Sequence, residues 1–303
     1  MLNRLRMRHV RCFLTIARCG SMTAAAKEMN SSQPAVSRSL AELEALVGQP
    51  LFERGGRGLT LTEAGERLRR HLDPAVSQME EGVRLAGGTA AVPRVSVGVL
   101  PNVARTLAMR SSVMFKADTP DVDLELHWAN VSELITRLNR GEIDMLLGRL
   151  LSLEHMEGVS FEHLYPEDIV FAVHHTHPFA ARPGEVTLSE VGAELVVVPL
   201  GGTIIRRELD KFMTARGLAR FRRQIETVSF EFTRSFLRET PSVAAIPLGA
   251  IRRELAEGEL VKLGLSGEEL AGSVGISFRT GRALSPEAAR FADAVRIVAR
   301  DYA

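Results

Sequence analysis

The chain has 303 residues, 45% hydrophobic and 25% charged, which fits a folded protein with a substantial core and excludes a disordered or fibrous one. At about 150 residues per domain, that length suggests two domains. The net charge of +1 hides an asymmetry: residues 1–60 carry nine Lys or Arg against four Asp or Glu, a net of +5, which leaves −4 for the remainder. A polyanionic partner is therefore expected for the N-terminal end alone. The opening Met1-Leu2-Asn3-Arg4-Leu5-Arg6 lacks the apolar run of a signal peptide. No apolar stretch approaches the ~18 residues of a spanning helix, so a cytoplasmic protein without membrane contact is expected. The two cysteines, Cys12 and Cys19, lie seven positions apart on a predicted helix. That is ~10 Å, too far for a disulfide, so both read as small core residues.

In chain order, Val10, Phe13, Leu14 and Ala17 make the apolar stripe of a helix over 7–18. Ser21 starts a short second helix reaching Met29, in which Ala24, Ala25 and Ala26 allow a neighbour to approach closely. After a turn at Asn30-Ser31-Ser32, Ser32 suits an N-cap and Pro34 falls in the first turn of a third helix, where no N–H is needed. That helix buries Val36, Leu40, Leu43 and Val47, and Gly48 ends it. Leu51–Arg54 and Leu59–Leu61 read as a hairpin with a basic tip at Gly55-Gly56-Arg57-Gly58. Residues 1–61 thus read as a winged helix-turn-helix.

Residues 62–86 form one long helix by pattern, with Ala64, Leu68, Leu72, Val76, Met79, Val83 and Ala86 on a single seam. At ~38 Å, with so narrow a seam, it suits a partner helix better than a globular core, although Pro74 should bend it or break one hydrogen bond. Gly87-Gly88-Thr89 is the expected hinge, so 62–88 reads as a dimerisation linker and 89–303 as a second domain. From Arg94 the pattern alternates strands and helices. Strands are expected at 95–100, 122–128, 144–147, 169–173, 195–198, 225–228, 243–246, 260–263 and 274–278. Helices are expected at 102–117, 131–140, 203–216, 231–239, 248–256 and 286–301. This is an α/β fold with mainly parallel sheets, and its ~200 residues with a central break suggest two lobes, each with its own sheet.

One run carries the strongest signal. Ser21-x3-Ala25-Ala26, Ser32-Gln33-Pro34-Ala35-Val36-Ser37, Leu43-Glu44-x2-Val47-Gly48, Leu51-Phe52-x-Arg54 and Leu61-Thr62-x2-Gly65 together resemble the signature of the LysR-type transcriptional regulators. The resemblance implies a DNA-binding winged helix-turn-helix, a linker helix, and an effector domain similar to a periplasmic binding protein. It also implies dimers that pair into tetramers, an interrupted palindrome of double-stranded DNA as target, and contact with RNA polymerase.

The residues point the same way. A third helix that buries Val36, Leu40 and Leu43 must turn Gln33, Ser37 and Arg38 outward, and polar side chains at a helix start are what base edges in a major groove require. Ser32, Pro34 and Thr23 stand beside them, and Arg54 and Arg57 on the hairpin suit backbone phosphates. In the second domain, ligands are expected at the carboxyl ends of strands near helix starts. Leu100, Pro101 and Asn102 occupy one such place and Gly202 and Thr203 another, facing each other across a cleft. Asn130, Ser132, Arg149 and Phe230 are further candidates, with Arg149 able to supply a full charge. Helix starts, amide and hydroxyl donors, and loops free of carboxylates favour a small organic anion as effector.

No catalytic constellation appears: there is no Gly-x-Ser-x-Gly elbow, phosphate loop or His-Glu-x-x-His, and no cofactor or metal is expected. His174-His175-x-His177 is the nearest approach to a metal site and reads as a polar loop. Where the family often has a Gly-rich turn before a late Ile-Pro, this chain has Glu239-Thr240-Pro241-Ser242 before Val243–Pro247, which alters one cleft wall. That segment and the N-terminus resemble the branch controlling protocatechuate and sugar catabolism. The expected function is effector-controlled, sequence-specific DNA binding. The rival readings are a small-molecule binding protein, or an enzyme with an appended DNA-binding domain.

Overall fold

A computed structural model describes residues 4–55, 58–86 and 92–303, and the chain divides into two units, Met1–Ala91 and Val92–Ala303. Among the described residues, no helix is long and apolar enough to cross a membrane.

In the N-terminal unit, α1 (Met7–Cys19) ends at Gly20 in the left-handed region, and the Ser21 hydroxyl caps α2 (Met22–Glu28) by accepting from the Ala24 N–H. The next helix, α3 (Gln33–Val47), carries Pro34 in its first turn and ends at Gly48. The strands β1 (Phe52–Gly55) and β2 (Gly58–Leu61) pair antiparallel, and α4 (Glu63–Ala86) follows. Phe13, Ile16, Ala25, Leu40, Leu43 and Leu51 form the core, and Phe52 lays its ring 5.5 Å from that of Phe13. Two glycines permit close packing here. Gly58 of the hairpin meets the α1–α2 turn, where a Cβ would lie 2.7 Å from the Gly20 carbonyl oxygen; one at Gly65 would lie 2.2 Å from that of Leu51.

The expected seam on α4 divides in two. Ala64, Leu68 and Leu72 pack against the core of their own unit, while Met79 and Val83 are 56% and 74% exposed. The helix continues through position 74. Gly87-Gly88-Thr89, the expected hinge, lies outside the described residues.

In the second unit β3 (Arg94–Val99) leads into a helical run that tightens and loosens along its length. It is a 3-10 turn at Pro101–Val103, a π turn at Ala104–Ala108, and then α5 (Met109–Asp118). β4 (Asp123–His127), α6 (Val131–Arg140) and β5 (Met145–Arg149) complete the first half of this lobe. The second lobe holds α7 (Leu188–Ala193), β7 (Leu195–Pro199), α8 (Ile204–Ala215), β8 (Arg223–Thr227), α9 (Phe230–Glu239), β9 (Val243–Pro247), α10 (Leu248–Ala256) and β10 (Leu260–Lys262). β11 (Ala271–Arg279) and α11 (Pro286–Ala299) return to the first lobe.

The lobes are joined by β6 (Val159–His174), a strand of 16 residues. Its first part pairs antiparallel with β11 and its second part, from Ile169, with β9 and β10. The hydrogen-bonded order is therefore one path, β4-β3-β5-β11-β6-β9-β7-β8, rather than two independent sheets. The outer pairs are parallel and the four strand pairings around β6 and β11 antiparallel, so the sheet is mixed at its centre. Apolar clusters cover both faces in each lobe, around Phe115 and Phe291 or Leu134 and Leu138 in one, and around Phe212 and Phe221 or Leu237 and Ile251 in the other.

Candidate functional site

On α3, Val36, Leu40 and Leu43 face the core, which leaves Gln33, Pro34, Ser37 and Arg38 exposed on the other side. Ser32 holds the N-cap position in extended conformation, but its hydroxyl makes no capping bond and stays exposed. Thr23 is likewise exposed, inside α2. Gln33 and Ser37 line a concavity of about 430 Å³ together with Ser21, Met22, Gly55 and Leu59. Arg54 lies on β1, and Arg57 lies outside the described residues.

Other residues of the signature hold the frame that presents this face. Glu44 accepts from the Leu51 N–H at 2.7 Å and so ties the end of α3 to the hairpin. The Thr62 hydroxyl donates to the Pro50 carbonyl at 2.8 Å and accepts from the Gly65 N–H at 3.1 Å, which starts α4. His9, almost fully buried, joins α1 to α3 through Glu42 at 2.9 Å, with Arg8 on the same carboxylate. These two partners hold the Glu42 carboxyl below its ordinary range.

In the second unit the carboxyl ends of β3, β4, β5, β7 and β8 open onto one cavity of about 620 Å³. Leu100, Pro101 and Asn102 contribute from the first of these, Asn130 and Ser132 from the second, and Arg149 from the third. Gly202 and Thr203 follow β7, and Phe230 follows β8. All nine sequence-derived candidates therefore line the same space. This is the usual place for a ligand in an open α/β sheet.

Their side chains are less available than their positions suggest. The Thr203 hydroxyl donates to the Leu200 carbonyl at 2.8 Å and accepts from the Arg206 N–H at 3.2 Å, so it caps α8. Asn130 caps α6 by accepting from the Glu133 N–H at 2.9 Å. Asn102 is buried and donates its amide N–H to Glu167 at 2.9 Å. It lies within a 3-10 turn rather than at the start of the α-helix expected there, so the second α-helix start lining the cavity, beside that of α8, belongs to α6.

Arg149 departs furthest from expectation. Its side chain is 1% exposed, with Nε 2.8 Å from Glu208 Oε2, Nη1 3.8 Å from Glu167 Oε2, and Nη2 donating to the Leu270 carbonyl at 2.9 Å. One guanidinium thus faces two carboxylates from strand β6 and helix α8. Desolvation raises the carboxyl pKa of both Glu167 and Glu208 above the ordinary range, with Arg149 opposing it. The charge that was to greet an anion is already matched inside the protein.

Sequence reasoning passed over other lining groups. Trp128, just beyond β4, and Val228, just beyond β8, border the cavity and are about half exposed. Arg207, on the second turn of α8, also lines it and pairs with Glu154 at 2.6 Å. His155 hydrogen-bonds Ser132 at 3.0 Å and Ser152 at 2.9 Å. The signal for Trp128 was its place at the end of an expected strand; for Arg207, its place one turn inside a helix start already singled out. His177 caps the turn at Pro178–Ala181 by accepting from the Phe179 N–H.

Two family models match the chain. Residues 7–66 match the bacterial regulatory helix-turn-helix protein of the lysR family, and residues 89–300 match the LysR substrate binding domain. The transcriptional regulator PcaQ of Agrobacterium fabrum is 32% identical over 278 residues, 91% of this chain and 89% of that protein. Among solved structures, a full-length OxyR variant from Pseudomonas aeruginosa aligns with a TM-score of 0.65 at 20% identity, covering 98% of this chain and 97% of that one. Full-length CbnR in complex with its target DNA aligns with a TM-score of 0.59 at 20% identity, covering 97% and 100%. The two structures speak for the fold. With both domain models matched in order, and a relative of this identity along nearly the whole chain, the protein belongs to the LysR family and is a DNA-binding transcription regulator with a two-lobed effector-binding domain.

Proposed function

We propose that this regulator reads an interrupted palindrome of double-stranded DNA through Gln33 and Arg38. Ser32, Pro34, Ser37 and Thr23 lie against the same groove, and Arg54 and Arg57 hold phosphates from the wing. The shared exposure of Thr23, Ser32, Gln33, Pro34, Ser37 and Arg38 supports the reading. Residues 62–88 form the linker that pairs two subunits, and the exposed Met79 and Val83 mark where the pairing surface is left bare within one chain. Two such dimers form a tetramer that acts on RNA polymerase in the cytoplasm. Residues 89–303 hold the effector.

The effector is a small organic anion bound in the interlobe cavity, in contact with Leu100, Pro101, Asn102, Asn130, Ser132, Arg149, Gly202, Thr203 and Phe230. The observation that carries this reading is the convergence of all nine on one space. Capping uses the N–H groups of Glu133 and Arg206, which leaves those of Val131, Ser132, Ile204 and Ile205 at two helix starts lining the cavity. Those groups and Arg207 supply the positive field; Arg149 meets the anion only by exchanging Glu208 for it. Lobe movement on binding then changes the placement of the DNA-reading pairs. Calorimetry with carboxylates beside matched amides and amines tests the reading: binding by carboxylates alone supports it, and binding by amines or amides alone defeats it.

A further inference from the structure

The cavity wall is uneven in what it leaves unmet. Its polar side chains are largely satisfied by the protein itself. Asn102 is held by Glu167, Thr203 by Leu200, and His155 by Ser132 and Ser152, while Arg149 faces Glu208 and Glu167 as ion pairs, with its Nε and Nη1 making no hydrogen bond. Its large apolar side chains are not. Trp128 is 55% exposed, Val228 52% and Leu200 44%, although all three border the same cavity. Trp128 is the chain's single tryptophan. Among the described residues its indole takes part in no ring pair, cation–π contact or side-chain hydrogen bond.

These groups come from both lobes. β4 and β8 are the two ends of the strand path, so the residues just past them belong to different lobes, Trp128 to the first and Val228 and Phe230 to the second. An indole left half in water on the wall of a cavity that the other lobe also lines with aliphatic and phenyl groups offers its face to a flat apolar body. Aromatic rings gain from offset stacking beyond the area they bury, which a saturated ring of the same bulk does not reproduce.

We propose that the effector carries a flat unsaturated or aromatic ring that stacks on Trp128, so that this residue sets the chemical class of the effector. The proposal rests on the reading of this cavity as the effector site. It narrows the ligand to a ring with one small anionic group, the ring toward Trp128, Val228 and Phe230 and the charge toward the starts of α6 and α8.

The experiment uses the full-length protein and its indole fluorescence, which arises at position 128 alone. Benzoate and cinnamate are titrated beside cyclohexanecarboxylate and hexanoate, which keep the charge without the flat ring, and beside benzamide and benzylamine, which keep the ring without the negative charge. Calorimetry supplies the affinities. The flat acids are expected to change the emission saturably and to bind about tenfold or more tightly than the saturated ones. Trp128→Leu is expected to remove most of that preference and Trp128→Phe to retain much of it, with thermal midpoint and operator binding unchanged in both. Equal binding of flat and saturated acids, or an unchanged preference in Trp128→Leu, overturns the stacking proposal and leaves the anion reading in place. Binding of benzamide or benzylamine, but not of the acids, with loss in Trp128→Leu, supports stacking and overturns the anion reading. Absence of binding across the whole panel overturns the proposal.

Discussion

Arg38 and Arg149 are the arginines that sequence reasoning placed at the centre of the two units, and the structure treats them oppositely. Arg38 stands exposed on α3, its side chain in no ion pair or hydrogen bond among the described residues. Arg149 is closed off between Glu167, Glu208 and the Leu270 carbonyl. The first has its charge available for a partner, and its loss leaves nothing buried behind. The second organises the meeting of two lobes, and its loss leaves two carboxylates without their cation. A free cation on a scaffold face and a matched cation under a cavity floor are different devices, even when each borders the place where a ligand is expected.

The largest expected effect breaks the second device. Arg149→Met leaves Glu167 and Glu208 buried without a counter-charge, and removing one partner of a buried pair typically costs ~3–5 kcal/mol. At roughly 2–4 °C per kcal/mol for a domain of this size, the thermal midpoint should fall by a readily measured amount. Adding Glu167→Gln and Glu208→Gln to the same variant should recover most of the loss, because apolar or neutral replacements of a whole buried cluster are often tolerated. A midpoint unmoved by Arg149→Met would show that solvent, rather than these two carboxylates, holds the guanidinium.

The linker helix offers a second contrast within one element. Leu68 and Leu72 pack against their own unit, whereas Met79 and Val83 face outward. Val83→Asp places a charge on the bare half without touching the core, so it should dissociate the assembly by sedimentation while the far-ultraviolet spectrum and midpoint of the DNA-binding unit hold. Leu68→Asp should instead destabilise that unit itself. If Val83→Asp sediments like the parent, the pairing surface lies elsewhere.

Arg38→Ala sharpens the comparison from the other side. A good side-chain contact to a base contributes ~1–3 kcal/mol of discrimination, so specific operator affinity should drop about 10- to 100-fold. The midpoint should stay where it was, because no buried group loses a partner. Gln33→Ala should broaden sequence preference more than it weakens binding. Footprints and midpoints that move together in Arg38→Ala would assign it a structural role.

What was legible in the sequence follows the same division. α6 and α10 fall on the residues their apolar spacing marked, because one stripe packed on one sheet face is a local pattern. β6 was visible only over 169–173. Its first part, 159–168, mixes Glu162, His163, Pro166 and Asp168 among apolar residues, as a strand with one face partly open to solvent does, and so shows no clean run. α7, at six residues, is too short to show a helical period. The cavity's outline was legible because chain order alone puts strand ends and helix starts together. Its electrostatics were not: Glu167 and Glu208 lie far from Arg149 in sequence, and only the crossover of β6 brings them under it.

The smallest expected effect tests the direction of that electrostatic balance. Burial raises the carboxyl pKa of Glu167 above its unfolded value, despite Asn102 and Arg149. A folded-state pKa that is raised gives a stabilising contribution that is complete below the unfolded value, about 4.3, and that is lost as pH rises through the folded one. Glu167→Gln keeps an oxygen for Asn102 to donate to but cannot ionise, so it keeps that contribution at every pH. The two proteins should therefore have nearly equal midpoints in acid, and the variant should gain on the parent as pH rises toward neutrality. Taking the difference between them cancels the surface carboxylates whose pKa values are lowered, such as Glu190 and Glu42, since both proteins share them. The change is modest, because Glu208 stays 2.8 Å from Arg149 and the cluster keeps its shape. A midpoint difference that runs the other way, with the parent gaining as pH rises, would mean that Arg149 holds Glu167 ionised and that one guanidinium suffices for both carboxylates. In that case the cavity floor would carry two carboxylates against one guanidinium, a net negative charge, and an anionic effector could reach Arg149 only by displacing Glu208.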